Sequence, residues 1–186
     1  MIDQAMDLAV RKTIIVEAPQ QRAFDVFTAG MSDWWLLETH HIGEQRPDAV
    51  VIEPRSGGRW FERAPDGTEC DWGRVVEWAS PARVLLAWHL DADWKYDPDP
   101  AKATELEVQF IAEGPSRTRV ELVHRGLEVH GERAREVHDA IDSEGGWNGL
   151  LALYAAAAAG EQPRRRRNHA IGTVPARIRR GRAGSV

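Results

Sequence analysis

Residues 132–159 read ERAREVHDAIDSEGGWNGLLALYAAAAA, and the way this stretch folds decides the architecture. Leu150, Leu151, Leu153 and Tyr154, followed by an alanine run, predict one long helix from Glu132 to Ala159. Gly145 and Gly146 fall in its middle, where each glycine costs about 1 kcal/mol relative to alanine. A close approach of the helix backbone to another surface is expected to offset that cost, with Trp147 as the large apolar anchor beside it. What precedes the helix is mostly short strands whose apolar faces need a cover.

Working backwards, Val120 and Leu122 alternate with Arg119 and Glu121. Leu106, Val108, Phe110 and Ala112 alternate with Glu105, Glu107, Gln109 and Glu113. The turn Gly114-Pro115-Ser116 separates the two runs. Period-two alternation of this kind marks a sheet with one dry and one wet face. Trp72 to Trp78 and Ala82 to Leu90 form an earlier pair around Ser80-Pro81. A hairpin arm runs from Gly57-Gly58 through Phe61 to the turn Pro65-Asp66-Gly67, and a strand is expected near Ala49 to Glu53. Val10 to Glu17 reads as the first strand. Ala18-Pro19 then opens a helix with Ala23, Phe24 and Phe27 on one face, and a second short helix covers Met31 to Trp35. Asp91 to Lys102, with Trp94, Tyr96, Pro98 and Pro100, is a long loop of the kind that serves as a lid or binding loop.

The order predicts an α+β fold: a curved antiparallel sheet of about six to seven strands wrapped around the C-terminal helix, with two short helices after the first strand. Space left between sheet and helix becomes a pocket lined by inward strand residues. Residues 8–160 form the expected domain, residues 1–7 a loose leader and residues 161–186 an arginine-rich appendage without apolar periodicity.

Composition bounds the function. At 186 residues the chain suits one well-buried domain. Its eight tryptophans outnumber its four phenylalanines and two tyrosines together, which favours a core or cavity wall with large apolar bodies and a few N–H donors. Residues 161–186 carry a net charge of +7, which leaves −12 for residues 1–160 within the whole-chain −5. An acidic body argues against nucleic acid as the main ligand, leaving at most weak contact through the basic tail. The single cysteine, Cys70, gives neither an internal disulfide nor a cysteine-based metal site. No signal-peptide pattern opens the sequence and no apolar run reaches the roughly 20 residues of a membrane span, so a cytoplasmic protein is expected.

The segments Val16-Glu17-Ala18-Pro19, Phe24-Asp25-Val26-Phe27-Thr28, Trp34-Trp35, Gly57-Gly58-Arg59-Trp60-Phe61, Gly73-Arg74-Val75 leading into Pro81, Thr104 to Phe110, Thr118 to His124 and Gly145-Gly146-Trp147 carry a resemblance. In order and spacing, residues 8–160 resemble the START-like helix-grip (SRPBCC) superfamily, in the branch similar to the C-terminal domain of the activator of Hsp90 ATPase. The resemblance implies a deep cavity for a hydrophobic or amphipathic small molecule. Superfamily relatives include lipid carriers, hormone receptors, polyketide aromatase/cyclases and co-chaperones. Hsp90 activators of this type carry a separate N-terminal domain that this sequence does not show, so the resemblance implies ancestry more than co-chaperone activity.

Seven residues are expected at the cavity. His124 shares parity with Val120 and Leu122 and should face the dry side, where a histidine can orient a ligand or move a proton near neutral pH. Trp88 shares parity with Val84 and Leu86. Phe110 is on the dry face of its strand, and Trp35, Trp60 and Trp147 belong to the family-like segments bordering the sheet–helix space. His138, one turn before Ile141, joins them. No metal site is expected: His40 and His41 are adjacent and should point opposite ways in an extended segment, and His130 and His138 would sit about 12 Å apart along a helix. No cofactor motif is present, since Gly57-Gly58 has no Lys-Ser/Thr after it and no G-x-S-x-G occurs. The leading expectation is binding of an apolar or amphipathic small molecule. The alternatives are a polyketide cyclase/aromatase-like enzyme using His124 or His138 as acid or base, and a relative of co-chaperones with an Hsp90-type partner.

Overall fold

The computed structural model of the chain describes residues 7–160; the leader ahead of residue 7 and the arginine-rich segment 161–186 lie outside the described residues. Seven strands form one antiparallel sheet: β1 (Val10–Val16), β2 (Ala49–Ile52), β3 (Arg59–Arg63), β4 (Glu69–Ala79), β5 (Arg83–Trp88), β6 (Thr104–Ala112) and β7 (Thr118–Arg125). Their order across the sheet is β1-β7-β6-β5-β4-β3-β2. Between β1 and β2 come two short helices, α1 (Gln20–Phe27) and α2 (Met31–Trp34). The sheet is curved by two register irregularities, at Trp60/Phe61 and at Val75/Glu77, where a bulge increases local twist.

The alternation in β6 and β7 sets the faces as the sequence pattern predicts. Thr104, Leu106, Val108 and Phe110 of β6 are buried, as are Thr118, Val120, Leu122 and His124 of β7. Glu105 and Glu107 face the other side, where they pair with Arg125 and Arg83.

The C-terminal stretch is not one helix. α3 (Ala134–Ile141) and α4 (Trp147–Ala158) are separated by a turn at residues 142–146. Gly146 has φ −103° and ψ −138°, outside helical space, and a Cβ there would lie 2.3 Å from the carbonyl oxygen of Ile141. The approach expected to another surface is not made: Gly146 alone comes close, to the end of the preceding helix, while a Cβ on Gly145 would meet nothing nearer than the Ser143 hydroxyl at 3.7 Å. Asn148 Nδ2 closes the turn by donating to the carbonyl of Asp142 at 2.7 Å.

α4 packs against α1 and β1, and its C-terminal half is anchored by the buried Tyr154 and Ala158. Tyr154 lies edge-on to Phe27 at 5.2 Å between ring centroids and donates its hydroxyl to the carbonyl of Ala23 at 2.7 Å. Phe110 sits 5.2 Å from Phe24 and 5.8 Å from Phe27, both on α1. Burial of these aromatic rings supplies a few kcal/mol each. The open space is at the other end, around Trp147.

Candidate functional site

Six aromatic rings form a closed circuit beneath the N-terminus of α4. Centroid separations run from Trp35 to Trp72 at 5.2 Å, Trp72 to Trp60 at 5.6 Å, Trp60 to Trp88 at 5.3 Å and Trp88 to His124 at 5.3 Å. The circuit closes from His124 to Trp147 at 6.3 Å and from Trp147 back to Trp35 at 6.1 Å. The sheet register builds part of it directly. Trp60 and Trp88 both pair with Gly73, one from each side, so their indoles meet above a residue without a side chain. A Cβ on Gly73 would lie 1.8 Å from the carbonyl oxygen of Ala87.

Above this circuit opens a cleft of about 390 Å³, within the range of small-molecule sites. Trp35, Trp72, Trp88 and Trp147 form its floor. Its rim comes from three loops: Thr39 to Ile42, Trp94 of the long loop, and the turn between α3 and α4. Trp94 is 42% exposed and has φ 60°, a left-handed conformation costly for a side chain of this size.

Polar groups fix the walls. The indole N–H of Trp35 donates to the carbonyl of His40 at 2.9 Å. That of Trp72 donates to the Glu62 carboxylate at 2.8 Å, and that of Trp147 to His124 Nδ1 at 3.3 Å. Glu62, only 2% exposed, also accepts from the backbone N–H of Ile42 at 3.0 Å and of Gly43 at 2.6 Å. One buried carboxylate thus ties the rim loop to the sheet, and its charge is met by three donors as burial requires. His40 Nε2 joins the same loop to the helix break, donating to the carbonyl of Gly145 at 2.6 Å, while Nδ1 lies 2.7 Å from the Thr39 hydroxyl.

His124 is 1% exposed and has both ring nitrogens engaged. Trp147 donates to Nδ1, so Nε2 carries the proton and donates to the Thr104 hydroxyl at 2.8 Å. Burial, with a smaller contribution from nearby His130, pushes its pKa down to about 3, and the ring is neutral at physiological pH. Its geometry is that of a fixed hydrogen-bond acceptor orienting Trp147.

Of the seven residues expected at the cavity, the structure puts Trp35, Trp88 and Trp147 on the cleft wall. Trp60 and His124 belong to the aromatic circuit but stand behind the wall. Phe110 is in the closed core at the far end. His138 is off the wall, with Nδ1 2.9 Å from the Asp139 carboxylate, while its neighbours Ala140 and Ile141 line the cleft. Sequence reasoning did not select Trp72, Trp94, His40 or His41, all of which line it. The excess of tryptophan was the signal for the first two; the histidines left none beyond their place after Trp34-Trp35. Among the described residues no group of His, Cys, Asp or Glu is arranged to hold a metal ion, and no helix is long and apolar enough to cross a membrane.

A seven-stranded sheet gripping a C-terminal helix, with a cleft at the helix N-terminus, is the helix-grip architecture. The chain belongs to the Activator of Hsp90 ATPase homolog 1-like protein family, whose model matches residues 17–157. Among solved structures it is similar to Txn09, an anthrahydroquino-γ-pyrone synthase, at 39% identity over 79% of this chain and 94% of that one, with a TM-score of 0.57. It is similar to CalC, a self-sacrificing resistance protein from Micromonospora echinospora, at 26% identity over 85% of this chain and 98% of that one, with a TM-score of 0.61. The fold is shared with NE0264 from Nitrosomonas europaea, at 13% identity over 82% and 95% of the two chains and a TM-score of 0.57. No curated protein matches the chain.

Proposed function

We propose that this protein binds a planar, polycyclic aromatic small molecule in the cleft at the N-terminus of α4. The observation that carries the proposal is the cleft wall: four indoles of a closed aromatic circuit form the floor and a fifth, Trp94, stands at the rim. Flat aromatic ligands gain from offset and edge-to-face contact with such walls, by about 0.5–1.5 kcal/mol per ring pair beyond the area buried. The likeness to a synthase whose name denotes a fused aromatic pyrone supports the same ligand class. It also favours turnover over simple carriage, with closure of an oxygen-containing ring as the reaction type. An Hsp90-type partner is supported by the family description alone, and the cleft gives the small-molecule reading precedence.

Titration with 2-hydroxyanthraquinone, followed by quenching of tryptophan fluorescence, tests this reading. Saturable one-to-one quenching is expected, with affinity about tenfold lower in Trp94→Ala, the loss of roughly one aromatic contact. Absence of saturable quenching up to the solubility of the probe would rule the reading out.

A further inference from the structure

We infer that His41 is the proton acceptor of the cleft, its Nε2 taking the proton of an acidic hydroxyl on the bound aromatic, and that the buried Glu62 carboxylate positions it. The inference rests on the reading of the cleft as an aromatic-ligand site and assigns its chemistry.

Three histidines line the cleft or support its wall, and they differ in what their nitrogens do. His124 has both nitrogens engaged, by Thr104 and Trp147. His40 has both engaged, by Thr39 and Gly145. His41 has Nδ1 2.9 Å from the carbonyl oxygen of Gly43. A carbonyl only accepts, so Nδ1 carries the proton in the neutral ring and Nε2 is left with a basic lone pair. No protein group among the described residues takes that lone pair, and His41 is one of the residues lining the cleft. Of the three, His41 alone is set up to accept a proton from a ligand.

The tautomer is held from behind. Gly43, whose carbonyl receives the Nδ1 proton, donates its own N–H to Glu62 Oε1, and Ile42, next to His41, donates to Oε2. Glu62 is fixed in turn by Trp72. A base oriented by a hydrogen bond on its other nitrogen, with that partner fixed by a buried carboxylate, is the arrangement general-base catalysis needs.

The step balances within the bound ligand. The hydroxyl O–H bond breaks and its electron pair stays on oxygen, while a new N–H bond forms at Nε2, giving an imidazolium beside a phenolate. If the phenolate oxygen then bonds to a conjugated carbon of the same molecule, the displaced electron pair moves onto the conjugated acceptor. The Nε2 proton returns there. The sum is an isomerisation without oxidant, reductant or metal.

The test again uses 2-hydroxyanthraquinone, at a pH where the free probe is neutral. Wild-type protein is expected to bind it with the red-shifted absorption of the phenolate. His41→Gln and His41→Asn should bind within about twofold of wild type, by fluorescence quenching, with the phenolate fraction reduced at least tenfold. Glu62→Gln should lower the phenolate fraction more than the affinity, a split that loss of packing alone would not produce. Binding without the red shift in wild type, or a shift retained in both His41 variants, overturns the inference and leaves the binding reading intact. No saturable quenching defeats the binding reading itself, and this inference with it. Independently of any ligand, ¹⁵N NMR of the wild-type protein should show His41 protonated at Nδ1; the Nε2–H tautomer would overturn the assignment.

Discussion

Trp60 and Trp88 meet edge to face, 5.3 Å between centroids, across a strand that puts only Gly73 between them. The contact joins the two halves of the aromatic circuit and exists because Gly73 has no side chain. Gly73→Ala forces β4 away from β5, since the new methyl carbon would meet the Ala87 carbonyl. A loss of about 2–3 kcal/mol is expected, the upper part of the range for overpacking. Urea unfolding checks the stability, and near-ultraviolet circular dichroism should show weakened tryptophan bands; an unchanged midpoint and spectrum would contradict the geometry.

His124 makes stability depend on pH. Its folded pKa of about 3 lies below the ordinary 6.5, so the unfolded chain binds this proton more readily than the folded one. The contribution is fully present above pH 6.5 and is lost as pH falls through the window down to about 3. Between pH 7 and pH 5 the loss attributable to His124 is about 2 kcal/mol. Unfolding measured at both values in wild type and in His124→Gln should show a clearly smaller pH dependence in the variant.

Glu62→Leu fills the site with an apolar side chain but removes the acceptor for three N–H groups. Leaving buried donors unpaired costs about 1–3 kcal/mol each, so a loss of about 3 kcal/mol or more is expected. Hydrogen exchange should accelerate at the amides of Ile42 and Gly43 ahead of the rest of the molecule. Uniform acceleration would mean that Glu62 does not specifically hold the rim loop.

Trp94 inverts an ordinary rule of substitution. At φ 60° a glycine is unstrained while any residue with a Cβ is not. Trp94→Gly is therefore expected to be about 1 kcal/mol more stable than Trp94→Ala, the reverse of their order in a helix or strand. Comparing the two urea midpoints decides it.

Strand faces were legible in the sequence because β6 and β7 follow strict alternation, and that alternation correctly placed His124 on the dry side. The break between α3 and α4 was not legible, because the apolar and alanine-rich residues on both sides of the glycine pair read as one helix. What separates the two is the approach of Gly146 to the Ile141 carbonyl, a contact that composition does not encode. Read as an extended segment with no third ligand nearby, His40 and His41 do not make a metal pair, and nothing in that reading marks them as cleft residues. The chain turns there instead, with the backbone N–H of Thr39 and of His40 both returning to the carbonyl of Leu36, and both residues line the cleft. Trp72 went unselected because its role depends on a cross-strand partner, Glu62, whose burial only the folded register reveals.

The cleft is built from two kinds of material. Its floor is made mostly of sheet and helix residues whose loss would unravel the core, whereas its rim is carried by loops. A protein assembled this way can change its ligand preference at exposed rim positions such as 94 while the sheet and helix beneath stay in place. Affinity for flat aromatic surfaces would then be shared between floor and rim, and discrimination among them acquired chiefly at the rim.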